Sequence, residues 1–128
     1  MSASSCDRTE SYNTCVIVPR VWTVVFHPEA EAELDALPAK ERVAVMHAVE
    51  KLVAAGPALP FPHQSNVKGA EGLRELRPRG GRSVWRPLYG RVGDAFVIAA
   101  VGPEALVNAR GFRRAVVAAT KRLNEIEE

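Results

Sequence analysis

Hydrophobic and polar residues follow one another along residues 21–38 in a pattern that predicts a strand and then a helix. Residues 21–26, VWTVVF, are β-branched and aromatic, which is typical of a strand. Pro28 suits the first turn of a helix, and the three glutamates within residues 29–33 place negative charge at the positive end of its dipole. This first helix is expected to end at Pro38.

Residues 40–55 carry apolar side chains every three or four positions, which is the spacing of one helix face. The predicted buried face consists of Val43, Met46, Val49 or Ala48, Leu52 and Val53. Gly56 and Pro57 end this second helix. Because the link between the two helices is short, we expect them to pack as an antiparallel hairpin.

Three further apolar runs predict strands at residues 73–78, 83–90 and 94–102. A proline- and glycine-rich connector over residues 59–72 precedes them and has no periodicity of its own. The sequence RGGR at residues 79–82 predicts a hairpin turn. Pro87 removes a ladder donor from the middle run, so this strand is expected at a sheet edge or with a bulge, unless its boundaries differ.

A last helix is predicted after Asn108, a favoured N-cap residue. Its apolar stripe consists of Phe112, Val116, Ala119, Leu123 and Ile126. The order β-α-α-β-β-β-α predicts an α+β fold: an antiparallel sheet with an N-terminal helical hairpin and a C-terminal helix, all helices on one side. We expect a single domain over residues 16–128 and a disordered extension over residues 1–15, which are small, polar and without periodicity.

Charge is distributed unevenly along the chain. Residues 1–64 contain five Lys/Arg and eight Asp/Glu, whereas residues 65–128 contain twelve and seven, within a net charge of +2. The segment of residues 73–90 alone holds five arginines and no lysine. A basic half on a nearly neutral small protein indicates an anionic partner, either nucleic acid or an acidic protein.

The remaining composition argues against several other classes of function. Three scattered histidines lack metal-site spacing, and no phosphate loop or dinucleotide fingerprint occurs, so no metal or cofactor is expected. Cys6 and Cys15 lie in a polar segment and indicate a reducing compartment rather than a disulfide framework. Pro19 and Arg20 interrupt the one apolar run near the start, which is shorter than the roughly 20 residues that span a bilayer. We therefore expect a cytoplasmic protein.

Several segments carry a resemblance to known proteins. The most specific is GLRELRP at residues 72–78, followed by a turn and WRPLY at residues 85–89. FHPEAEAELDALP at residues 26–38, the Pro-His and Val-Lys-Gly approach to the hairpin, and the tail from Ala119 to Leu123 belong to the same pattern. Over about residues 22–125, the chain resembles the RelE/ParE superfamily of bacterial toxin–antitoxin toxins, and in particular its HigB-like, phage-derived branch.

The resemblance implies an activity and a set of site residues. RelE- and HigB-like members cleave messenger RNA in the ribosomal decoding site, and a cognate antitoxin, often a helix-turn-helix DNA-binding protein, silences them. Metal-free cleavage needs cations for the charge that grows on phosphorus, and groups that carry protons. The implied catalytic residues are Arg77 and Arg86, which match the family's hairpin arginines, Lys68, which matches its connector lysine, and Tyr89, which matches its hairpin aromatic residue.

The residues themselves add further candidates. His63 lies near Lys68 and is a candidate general acid or base, and Glu75 either takes a proton or pairs with an arginine. Because adjacent strand residues face opposite ways, we expect Leu76 inside and Arg77 outside. The candidate RNA-binding residues are Arg74, Arg79, Arg82, Trp85, Arg110 and Arg113. The alternative for each of these side chains is an ordinary structural role on a solvated or half-buried face.

The sequence departs from the family pattern after the third strand. Gly102, Pro103 and Glu104 stand where relatives carry basic residues, and a carboxylate at this point repels phosphate. Cations return only at Arg110, Arg113 and Arg114, which take over that role if the turn at Pro103 brings them back across the sheet.

Three functions therefore stay open. The first is a ribosome-dependent endoribonuclease. The second is a non-catalytic toxin that blocks a protein, since ParE-type members poison DNA gyrase on the same fold. The third is a module that only binds its antitoxin.

Overall fold

The computed structural model describes residues 21–127, without the side chain of Glu127. The extension predicted for residues 1–15, and both cysteines, lie outside these described residues. The elements, in chain order, are β1 (Thr23–Phe26), α1 (Pro28–Asp35), α2 (Ala39–Ala55), β2 (Gln64–Asn66), β3 (Arg74–Leu76), β4 (Trp85–Val92), β5 (Ala95–Pro103) and α3 (Ala109–Glu127). The predicted α+β class and order of elements are confirmed, with β2 as an additional strand. Among residues 21–127, no helix is both long and apolar enough to cross a bilayer.

The five strands form one sheet in the order β1-β5-β4-β3-β2. All neighbours are antiparallel except β1, which runs parallel to β5. Strand β2 pairs with β3, with Ser65 opposite Glu75. Strand β2 lies within the predicted connector and was not predicted itself. Its three polar residues, QSN, show no hydrophobic alternation.

The helices cover both faces of the sheet. Helices α1 and α2 pack on the face that carries Tyr89, Phe96 and Ile98, whereas α3 packs on the face that carries Leu88 and Ala100. The expectation that all helices lie on one side is therefore wrong. The uninterrupted apolar run of β5 is the corresponding signal in the sequence, since strands buried on both faces lack alternation.

Two glycines allow α3 to approach the sheet closely. A Cβ atom at Gly102 would lie 2.5 Å from the Cβ of Ala115, and one at Gly90 would lie 2.7 Å from the Cδ1 of Leu123. Larger residues at these strand positions would therefore push the helix outward.

The buried face of α2 differs from the predicted one. Val43 and Met46 are exposed. The residues that face the core are Ala44, Val45, Ala48, Val49 and Leu52. Because apolar residues occur on more than one side of this helix, their spacing alone does not select the buried side.

Pro87 occupies a place in β4 where its missing N–H costs the sheet no hydrogen bond to β3. The pairing of β3 with β4 covers Leu88 and Tyr89 and does not include Pro87. The register between β4 and β5 also shifts between Leu88 and Tyr89, one residue beyond Pro87, which agrees with the bulge given as one of the alternatives for this strand.

A charged clamp joins α1, α3 and the edge of β5. Strand β1 pairs with β5 only as far as Ile98, so the following backbone groups of β5 need other partners. Glu33 accepts a hydrogen bond from the N–H of Val101 at 3.0 Å, and Arg122 donates one to the carbonyl of Ala99 at 2.8 Å. Arg122 also contacts the Glu33 carboxylate at 3.0 Å, and this hydrogen bond is the main cause that raises the pKa of Arg122.

Replacement of Arg122 by Ala should destabilise the fold by about 1–3 kcal/mol, because it leaves the carbonyl of Ala99 without its donor and the carboxylate of Glu33 without its positive partner. Urea unfolding of the purified protein measures this loss. Lys121→Ala, on the exposed side of the same helix, is the control and should change stability by less than about 0.5 kcal/mol. Equal stability of the two variants would show that the clamp contributes nothing.

Candidate functional site

The hairpin of β2 and β3 brings four polar residues to one face. Ser65 and Glu75 are directly opposite each other, and the Arg77 N–H donates to the His63 carbonyl at 2.9 Å, which continues the pairing. Residues opposite or two apart in such a hairpin share a face. We call His63, Ser65, Glu75 and Arg77 the hairpin cluster.

Glu75 organises the hairpin cluster. One of its carboxylate oxygens, Oε2, accepts a hydrogen bond from Ser65 Oγ at 2.8 Å and another from Arg77 Nη1 at 3.1 Å. The Arg77 side chain remains 23% exposed, and its Nε donates to the Pro62 carbonyl at 3.1 Å. Leu76 is fully buried, so the predicted orientation of Leu76 and Arg77 agrees with the structure.

Arg86 extends this cluster into the interior. Its Nε lies 3.8 Å from Glu75 Oε1, and its Nη2 donates to Glu104 Oε2. Three backbone carbonyls take its remaining donors, those of Gly81, Ser83 and Trp85. Burial is the main cause that lowers the pKa of Arg86, whereas Glu104 and Glu75 act in the opposite direction.

The catalytic role of Arg86 stays a prediction, and in this conformation its guanidinium is covered. Its side chain is only 2% exposed, and each guanidinium nitrogen already has a partner within the protein. A phosphate cannot reach it while Glu104 stays in place. The sequence carried the signal for this, since Glu104 stands where relatives have a cation.

Arg79 and Arg82 lie in the turn between β3 and β4. Arg79 contacts both oxygens of Glu41 at 3.1 and 3.3 Å, and Ser83 Oγ donates to the same carboxylate at 2.8 Å. The hydrogen bond from Ser83, followed by that from Arg79, lowers the pKa of Glu41. Arg82 Nε donates to the Arg79 carbonyl at 3.1 Å. The charge of Arg79 is therefore largely neutralised by α2, and Arg82 is the more available cation of this turn.

Tyr89 and Trp85 lie away from the hairpin cluster. Both are odd-numbered positions of β4 whose rings pack in the core under α1 and α2, and Tyr89 meets Phe96 edge-on at 5.7 Å. Burial raises the pKa of Tyr89 to about 12. Alternation along β4 turns both rings away from the face that carries the hairpin cluster, so the roles expected of Tyr89 and Trp85 stay predictions that this conformation does not support.

Lys68 and Arg74 are exposed but do not join the hairpin cluster. Lys68 lies in the loop beyond Asn66, about three strand positions or roughly 10 Å along the hairpin from Ser65. Arg74 is paired with Tyr89 across the strands and donates to Gln64 at 3.2 Å.

A second group of cations lies at the start of α3. Asn108 caps this helix as predicted, since its Oδ1 accepts from the Gly111 N–H at 2.9 Å. Arg110 and Arg113 are exposed and, together with Arg114, line an open groove of about 500 Å³. Gly102, the strand partner of Arg86, packs beneath this part of α3, so the basic end of the helix lies near the Arg86 end of the sheet.

The structure therefore brings together the side chains of Glu75, Arg77 and Arg86, and His63 is joined to Arg77 through the backbone. It adds Ser65 and Glu104, whose contacts with this group were not predicted. Side-chain alternation would have placed Ser65 opposite Glu75, had the short strand β2 been recognised. Within residues 21–127, no group of three or more His, Cys, Asp or Glu side chains is arranged to hold a metal ion.

Comparisons with known proteins agree with the resemblance found in the sequence. Residues 32–101, more than half of the chain, match the family described as phage derived protein Gp49-like (DUF891). No match is found among curated protein sequences.

One solved structure shows the same fold, and a second is similar in part. A free mutant of the E. coli toxin RelE, in which two arginines are replaced by alanine, has a TM-score of 0.55 and 14% identity over 76% of this chain and 96% of its own. The archaeal RelE–RelB complex from Pyrococcus horikoshii OT3 has a TM-score of 0.49 and 17% identity over 65% and 94%. At such identities, the similarity to RelE shows the fold alone.

Tyr89 should titrate near pH 12 in the folded protein and near 10 when unfolded. Because the unfolded state then loses its proton first, stability should fall as the pH rises from about 10 toward 12. Ultraviolet titration of a Tyr12→Phe variant, in which Tyr89 is the one tyrosine left, measures this directly. A folded-state pKa near 10 would place the Tyr89 hydroxyl in water, contrary to the structure.

Proposed function

Because the chain belongs to the phage-derived Gp49-like family and has the fold of RelE, we propose that it is the toxin of a type II toxin–antitoxin system. In this proposal the toxin acts in the cytoplasm, as an endoribonuclease that cleaves messenger RNA on the ribosome. The observation that carries the proposal is the hairpin cluster, which presents a partly exposed arginine beside a histidine and a carboxylate.

The hairpin cluster contains the groups that metal-free RNA cleavage requires. The ribose 2′-oxygen attacks phosphorus and gives up its proton, the bond from phosphorus to the 5′-oxygen breaks, and the leaving oxygen takes a proton. The products are a 2′,3′-cyclic phosphate and a free 5′-hydroxyl. Arg77 stabilises the charge on the phosphorane through its planar fork of donors, and His63 is our candidate for carrying a proton.

The other basic residues bind the RNA backbone in this proposal. Arg82, Arg110 and Arg113 are the most available cations around the hairpin cluster, and Lys68 and Arg74 extend the basic surface along the β2–β3 hairpin. Contacts of this kind with phosphate position an RNA without reading its sequence, and they weaken as the salt concentration rises.

The proposed partner that silences the toxin is a cognate antitoxin, of the helix-turn-helix DNA-binding type that the family resemblance implies. The part of it that docks should be acidic or amphipathic, since covering a basic surface is the simplest way to block it. The exposed surface of α3 combines arginines with the apolar side chain of Val117. This composition suits an acidic or amphipathic segment of a partner.

One observation favours a second candidate function. Arg86, one of the two arginines implied as catalytic, is withdrawn from solvent by Glu104. A toxin of this fold that blocks a protein such as DNA gyrase does not need that arginine, and neither does a module that only binds its antitoxin.

Inducible expression of the chain in bacteria should arrest growth and produce messenger RNA fragments with 5′-hydroxyl ends on ribosomes. Arg77→Ala should reduce cleavage about a hundredfold or more, because it removes the donor that stabilises the transition state. Lys51→Ala removes one positive charge from the exposed side of α2 and is the control, with cleavage expected to be unchanged. Mapping of RNA ends measures both.

Three other results would contradict the nuclease proposal in distinct ways. Growth arrest with DNA damage, while the RNA stays intact, would indicate a gyrase-blocking toxin. Normal growth despite accumulated folded protein would indicate a module that only binds its antitoxin. Unchanged cleavage by Arg77→Ala would remove the hairpin cluster from the mechanism.

A further inference from the structure

We propose that Glu104 is a built-in substitute for a phosphate: its carboxylate fills the anion position of Arg86 and keeps that site closed until the loop of residues 104–108 moves away. The inference deepens the proposed function, on which its biological meaning rests. The covering of Arg86 by Glu104 can be tested whether or not the protein cleaves RNA.

Glu104 lies between Arg86 and the solvent. Its carboxylate accepts from Arg86 Nη2, and the Glu104 side chain is 23% exposed whereas that of Arg86 is 2% exposed. The remaining contacts of Arg86 are with Glu75, which is 13% exposed, and with backbone carbonyls of the β3–β4 turn and the start of β4. Removal of Glu104 therefore opens one side of the guanidinium and leaves the other contacts in place.

The charges within the network support an exchange of one anion for another. Arg77 and Arg86 carry two positive charges, and Glu75 and Glu104 carry two negative ones. When the Glu104 carboxylate leaves, one positive charge is uncompensated, and a phosphodiester has the single negative charge that restores the balance. Guanidinium binds phosphate and carboxylate oxygens with the same planar arrangement of donors.

Glu75 differs from Glu104 in a way that makes only Glu104 removable. Glu75 belongs to β3 and is also held by Ser65 and Arg77. It would stay in position after the loop moves, and it would continue to orient Arg86.

The loop that carries Glu104 has few attachments to the rest of the protein. Its backbone is held by a hydrogen bond from the Glu104 N–H to the Val84 carbonyl, at 2.7 Å. Leu106 is 95% exposed and Val107 is also exposed, so neither contributes much packing. Segments with little buried apolar surface open at low cost, and these two side chains offer a partner a place to hold the open loop.

The test is the reactivity of Arg86 toward phenylglyoxal, followed by mass spectrometry. In the wild-type protein, Arg86 should be protected while Arg91, whose side chain is 47% exposed, reacts and serves as an internal standard. In Glu104→Gln and Glu104→Ala, Arg86 should react about tenfold to a hundredfold faster, which corresponds to the loss of one charge-assisted hydrogen bond. Glu41→Gln is the control: it removes the carboxylate that pairs with Arg79 and should leave Arg86 protected.

Inorganic phosphate is the probe for the uncovered site. In Glu104→Ala, phosphate should slow the modification of Arg86 but not that of Arg91. Continued protection of Arg86 in both folded Glu104 variants would overturn the proposal, as would reactivity that phosphate does not alter. Loss of the fold in both variants would also contradict it, because Glu104 would then be needed for folding rather than as a cover.

RNA cleavage separates this inference from the proposed function. Glu104→Gln should cleave RNA faster than the wild type if both are correct. Reactive, phosphate-protected Arg86 without any RNA cleavage would leave the Glu104 inference standing and remove the nuclease proposal. Cleavage by the wild type, with Arg86 protected in both Glu104 variants, would leave the nuclease proposal standing and remove the Glu104 inference.

Discussion

The guanidinium of Arg86, buried between the carboxylates of Glu75 and Glu104, is the interaction on which the site depends. A buried charge costs several kcal/mol unless it is paired and hydrogen-bonded, so Arg86 requires its partners to stay in place. Those partners come from β3, from the turn that follows it, from the start of β4 and from the loop before α3. The arginine thereby ties three neighbouring segments to a loop that lies 18 positions further along the chain.

The same interaction limits what the site can do. Arg77 shares the carboxylate of Glu75 with Arg86, so the positive charge available to a phosphate depends on how many carboxylates remain in the network. With both carboxylates in place, the network has no net charge. Of its two arginines, only Arg77 then reaches the solvent. Stability and anion binding therefore compete for one arginine, and the loop that carries Glu104 determines which of them prevails.

The two-sided sheet determines which predicted site residues come together. Arg86 and Tyr89 are three residues apart in β4, yet Arg86 belongs to the α3 side and Tyr89 to the core under α1 and α2. Each face of this strand carries apolar residues and one arginine, so its pattern contains no cue that separates a ring for the core from a ring for the site. The sequence therefore allowed Trp85 and Tyr89 near RNA, whereas in the structure Tyr89 is buried in the core and the half-buried Trp85 packs against it.

The sequence by itself determined the order of the elements, the α+β class, the cap at Asn108, the burial of Leu76 and the resemblance to RelE/ParE toxins. Each of these depends on residues close together in the chain, where local periodicity and capping preferences act. Only the tertiary structure decided the short strand β2, the second covered face of the sheet and the pairing of Arg86 with Glu104. An ion pair between residues 18 positions apart depends on where the loop after β5 returns, and no local pattern contains that information.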